Sequence, residues 1–124
     1  MVRPLVYITS AWSADEQEAR EKAEAYCRAV YEAGYSPVCP RLFYPRFLDD
    51  NIPQEHKDRV DMSAQLLRRC RILAVCGTMV NEEVKQDIAL AKHLRIVATT
   101  LEGITTIEKQ NKCEFFMFFT LNDT

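Results

Sequence analysis

The run Arg71-Ile72-Leu73-Ala74-Val75-Cys76-Gly77, followed by Val80-Asn81-Glu82-Glu83-Val84-Lys85-Gln86-Asp87-Ile88-Ala89-Leu90-Ala91-Lys92, decides the fold. Its first half is a short, continuous apolar stretch closed by glycine, the pattern of a strand buried on both faces. Its second half repeats Val84, Ile88 and Ala91 at helical spacing behind Asn81, a strong N-cap residue. A buried strand that feeds a helix is the unit of an open parallel α/β sheet, whose ligands bind at the carboxyl ends of the strands. Asp87 falls one turn inside this helix, on one face with Glu83 and Ala91. A carboxylate there, aimed at the crevice, has the chemistry of a nucleophile or base. Glu82 and Glu83 complement the helix dipole but make its N-terminus a poor phosphate cradle.

The same alternation extends in both directions. Leu5 to Thr9 is β-branched and apolar and predicts a first strand. Ser13-Ala14-Asp15-Glu16 predicts a capping box with Ser13 as N-cap. Ala19, Ala23, Tyr26, Cys27 and Val30 then mark a helix that stops at Gly34. Ser36 to Cys39 predicts a brief second strand. Pro40 to Gln54 is long for a connection, and such loops are often functional. Val60, Ala64, Leu67 and Cys70 predict the apolar stripe of a second helix. Ile96 to Thr100 predicts a fourth strand, Gly103 to Lys109 a short helix, and Glu114 to Phe119 a fifth strand or a segment covered by another subunit. The whole reads as one domain over residues 1–124. Its expected architecture is three-layer α-β-α, flavodoxin- or Rossmann-like, with a four- to five-stranded, mainly parallel sheet.

Composition excludes several function classes. A net charge of −2 gives no basic footprint, so nucleic acid is not an expected partner. No apolar run is long enough to span a bilayer and no signal-peptide pattern opens the chain, which points to a cytoplasmic protein without a membrane partner. Five cysteines, an odd number without a C-x-x-C pair, read as small core hydrophobes under reducing conditions. His56 and His93 lack the spacing of a metal pair, and Gly34, Gly77 and Gly103 form no glycine-rich loop. Neither a metal nor a dinucleotide cofactor is therefore expected.

Five landmarks in order carry a family resemblance. They are Val6 to Trp12, Gly34 to Pro40, Leu42 to Asp50, Leu66 to Cys70 with Val75 to Gly77, and Asn81 to Leu94. Together they span residues 5 to 100. In this order and spacing the chain resembles the nucleoside 2-deoxyribosyltransferase-like superfamily, in a branch of small bacterial and phage proteins of unknown function. The resemblance implies that the loop after the first strand, the aromatic loop and the third helix surround a nucleoside or its 5′-phosphate. It further implies that a glutamate of the third helix attacks the anomeric carbon, through a transition state resembling an oxocarbenium ion.

That glutamate falls at Asp87, one methylene shorter. Asn81 and Glu83 stand where a serine and a glycine are usual, Ala11 replaces a proline, Arg71 an aspartate and Arg41 a histidine. By this resemblance Asp87 is the catalytic candidate. The substrate-binding candidates are Tyr7, Ser10, Trp12, Arg41, Phe43, Tyr44, Asp49, Gly77, Asn81 and Glu83. Trp12, Phe43 and Tyr44 have faces for a base, and Asp49 and Asp50 have oxygens for ribose hydroxyls. Two readings stay open: an enzyme acting on the N-glycosidic bond of a nucleoside-type ligand, and a non-catalytic binding or oligomeric module. Family members commonly share sites between subunits, so a homo-oligomer is expected.

Overall fold

The computed structural model describes residues 2–106. The expected strand over Glu114 to Phe119 lies outside the described residues, as does the end of the helix expected to reach Lys109. Four strands, β1 (Leu5–Ser10), β2 (Ser36–Val38), β3 (Ile72–Cys76) and β4 (Val97–Thr100), form one sheet in the order β2-β1-β3-β4. All three pairings are parallel, with Leu5 opposite Ser36, Ser10 opposite Cys76 and Ile72 opposite Val97. Four helices connect and flank the strands: α1 (Glu16–Glu32), α2 (Pro53–Arg68), α3 (Glu82–His93) and α4 (Leu101–Thr106). The architecture is the α/β, Rossmann-like one expected, with the strand order reversing between β1 and β3.

Side-chain alternation along the strands divides the core in two. Val6 and Ile8 of β1, with Ile72, Ala74 and Cys76 of β3, pack with Ala23 and Val30 of α1 and Ile104 of α4. Tyr7 and Leu73 face the other way, onto Leu67 of α2 and Ala91 of α3. Thr99 also lies in the interior, and its Oγ1 has no hydrogen-bond partner among the described residues. The four cysteines among the described residues behave as core residues: Cys39, Cys70 and Cys76 are buried and Cys27 is half-buried. Burial pushes the Cys70 thiol up to about 11 and, with help from nearby Cys27, the Cys76 thiol up to about 12.

Four local expectations are corrected. The N-cap of α1 is Asp15, whose carboxylate accepts the Glu18 N–H, while the Ser13 hydroxyl donates to the Asp15 carbonyl. Both types cap well, and the chain leaving β1 runs two residues further before turning. The buried stripe of α2 is Arg59, Ser63 and Leu67, with Val60 and Ala64 only half-buried, so the helix is turned by one position. The fourth helix starts at Leu101, where the Thr100 hydroxyl accepts the Gly103 N–H as a cap. The connection after β2 is shorter than expected, since α2 begins at Pro53, and it contains 3-10 turns at Pro40–Leu42 and Tyr44–Arg46.

Candidate functional site

The crevice at the reversal of strand order lies between the carboxyl ends of β1 and β3. The first-strand loop (residues 9–12) and the third-strand loop (residues 77–83) meet at this same end, because Ser10 pairs with Cys76. Thr9 points to the α2/α3 face, and its hydroxyl donates a 2.7 Å hydrogen bond to Oδ2 of Asp87. Asn81 caps α3 by accepting the Val84 N–H at 2.9 Å, which orients the helix so that Asp87 faces β1. Burial raises the Asp87 carboxyl most. The Thr9 hydrogen bond opposes this and the nearby Glu83 adds to it, and the result is a pKa of about 6. Burial and the Asp87 charge together keep the neighbouring Tyr7 phenol firmly protonated.

A charged chain runs outward from this carboxylate. Arg59, with a side chain only 3% exposed, donates from Nε to Asp50 and from Nη1 to Glu83 Oε1, both at 2.8 Å. The other Glu83 oxygen accepts from Arg41 Nη1 at 3.1 Å. The Arg41 guanidinium lies over the Trp12 ring, 4.7 Å from its centroid. Arg20 approaches the same ring at 5.9 Å. Burial disfavours ionisation of Asp50, but the hydrogen bond and charge of Arg59 hold its carboxyl below the usual range. Glu83 is therefore not a bare carboxylate at a helix start. Two guanidinium groups bind it.

Two hollows share this wall. The inner one, about 20 Å³, is lined by Tyr7, Ile8, Thr9, Ser10, Cys39, Arg59, Ser63, Glu83 and Asp87. The outer cleft, about 350 Å³, is lined by Glu16, Arg20, Pro45, Leu48, Asp49, Asp50 and Asn51. Trp12 and Arg41 border both. A third hollow of about 250 Å³ on the α1 side holds Ser10 again, with Lys22, Tyr26 and Gly77. Gly77 has φ +83°, and a Cβ there would sit 3.2 Å from the Tyr26 hydroxyl, so glycine fits both the turn and the close approach.

Of the residues singled out from sequence, Tyr7, Ser10, Trp12, Arg41, Glu83 and Asp87 gather around the inner hollow. Asp49 lies on the outer cleft, where its carboxylate accepts the Asn51 N–H in a local turn. Gly77 borders the α1 hollow, and Asn81 serves the helix as its cap. Phe43 and Tyr44 line none of the three hollows and pack edge-to-face on each other, with Phe47 against Tyr44. The rings of the aromatic loop pack on one another instead of lining these hollows.

Arg59 and Ser63 are the site residues that pattern reading missed. A signal existed: they stand eight and four residues before Leu67 on the helix, the spacing of a shared face. Among the described residues no group of three His, Cys, Asp or Glu side chains could hold a metal ion, and no helix is long and apolar enough to cross a membrane. A comparison with curated proteins finds no match. Residues 4–101 match the family described as a domain of unknown function, DUF7768, and the chain belongs to that family.

Proposed function

We propose that this protein cleaves or transfers the N-glycosidic bond of a nucleoside-type ligand, with Asp87 as the nucleophile. One observation carries the reading: a half-buried carboxylate, held by Thr9, at the floor of a polar hollow where the strand order reverses. Asp87 Oδ1 or Oδ2 attacks the anomeric carbon as the C–N bond breaks. The base leaves with the bonding electrons and takes up a proton from solvent water. A glycosyl ester on Asp87 remains, which water or a second base then displaces. Thr9 orients the carboxylate, and the Tyr7 phenol supplies a donor for a sugar oxygen. Trp12 offers its ring to the base in the outer cleft. The inner hollow is smaller than a sugar, so entry requires the Trp12 ring and the part-exposed Arg41 to move outward.

Chromatography of a nucleoside panel after incubation with protein tests this directly. Free base is expected with the wild type, and Asp87→Asn is expected to release it about 10³-fold more slowly or worse. Equal release by the variant would remove Asp87 from the mechanism. Nucleoside binding without base release by the wild type would leave a binding module. A second copy of the chain, covering the exposed Phe43 and Phe47, is the expected oligomeric partner.

A further inference from the structure

Two cations converge on one carboxylate at the mouth of the inner hollow. Glu83 takes hydrogen bonds on both oxygens, from Arg59 at 2.8 Å and Arg41 at 3.1 Å. It sits in the first turn of α3, where the backbone adds partial positive charge. Arg59 is nearly fully buried and cannot leave, and the Arg41 Nε is buried without a hydrogen-bond partner among the described residues. Two guanidinium groups beside a helix start are a built anion site. Here the anion is the chain's own side chain.

We infer that Glu83 is the residue that sets ligand charge: it fills an internal anion site, so the crevice takes neutral sugars and turns away phosphate monoesters. The charges agree with this. Arg41 and Arg59 are matched by Asp50 and Glu83, and Asp87 is a third carboxylate in the same wall. An incoming phosphate meets no net positive charge and would have to displace a carboxylate bound at two points. Removing Glu83 frees both arginines for a ligand. The sugar part of this inference rests on the nucleoside reading above, whereas the anion part stands on the arginines alone.

The experiment compares wild type with Glu83→Ala, by thermal shift against inorganic phosphate with chloride at matched ionic strength. Calorimetry with a nucleoside and its 5′-monophosphate completes it. Phosphate is expected to raise the melting temperature of the variant and not of the wild type. The nucleoside is expected to bind wild type about tenfold or more tighter than the monophosphate, with the order reversed in the variant. Adding Arg41→Ala to Glu83→Ala is expected to abolish the gained phosphate response. Should Glu83→Ala fail to fold, Glu83→Gln keeps the size and one acceptor, and gives the same comparison. An identical phosphate response in wild type and variant overturns the inference. If the nucleoside still binds in that case, the functional reading survives without it. If phosphate stabilises only the variant while no nucleoside binds either protein, Glu83 keeps its anion role and the nucleoside reading fails.

Discussion

The two faces of the sheet are built from the same strands but to different rules. On the α1/α4 face, Val6, Ile8, Ala74, Cys76, Ala23, Val30 and Ile104 make an apolar layer of the sort that any parallel sheet requires. The α2/α3 face begins the same way, with Leu67, Leu73, Ala91 and Ala98. Toward the carboxyl ends of the strands it turns polar, with Thr9, Arg59, Ser63, Glu83 and Asp87 drawn into one wall. Burying a charge is unfavourable unless it is paired, and a paired set is seldom more stable than a well-packed apolar one. Folding alone gives no reason for this wall. The proposed site rests on this asymmetry between the faces.

The contrast can be broken most sharply at Arg59. Arg59→Ala leaves Asp50 and Glu83 without their shared partner and should cost about 3–5 kcal/mol in denaturant unfolding. A cost below about 1 kcal/mol would mean that the charged chain is loosely held and that the wall is not a rigid unit. On the other face, Ile104→Ala should cost about 2–4 kcal/mol through a core cavity while leaving ligand affinity unchanged once the protein is folded. A large loss of affinity there would show that the two faces are not independent.

Asp87 gives an effect of opposite sign. Its folded-state pKa of about 6 lies above the unfolded value, so the native state binds more protons and stability falls as pH rises from about 4 to 6. Asp87→Asn removes that penalty while keeping an acceptor for Thr9. It should therefore stabilise the protein by about 1–2 kcal/mol at pH 7.5 and by little near pH 4. Melting curves across pH check this, and a variant less stable than wild type at pH 7.5 would contradict it. Any activity that needs the ionised carboxylate should rise through about pH 6.

The smallest effect is expected at Thr9. Thr9→Val keeps the shape, loses the hydrogen bond that lowers the Asp87 pKa, and should cost at most about 1 kcal/mol. Its signature is an upward move in the pH midpoint of base release, with no comparable move in Ile104→Ala. Residues on opposite faces would then separate stability from chemistry.

What the sequence made legible was local. The run ending at Gly77, the Asn81 cap and the helical spacing of Val84, Ile88 and Ala91 each depend on a few adjacent residues, and each appears as read. The gathering of residues 9–12 and 77–83 followed from strand direction alone. What escaped was tertiary pairing. Glu83 read as a repulsive charge because its partners lie 24 and 42 residues away. Arg59 was invisible because an arginine on a helix is usually solvated, and the apolar neighbours Val60 and Ala64 offered a plausible stripe one position over. Phe43 and Tyr44 had the right chemistry for stacking on a ligand, but their rings pack on each other.

Thr99 matters for anyone who wants to work with this protein. Its hydroxyl is sealed in the interior, fully buried and unsatisfied among the described residues, away from the charged wall. A valine of nearly the same shape would remove that frustration, with a gain of roughly 1 kcal/mol. Thr99→Val is thus a natural starting background for dissection. Its reserve of stability would let damaging replacements such as Arg59→Ala remain folded long enough for their chemistry to be measured.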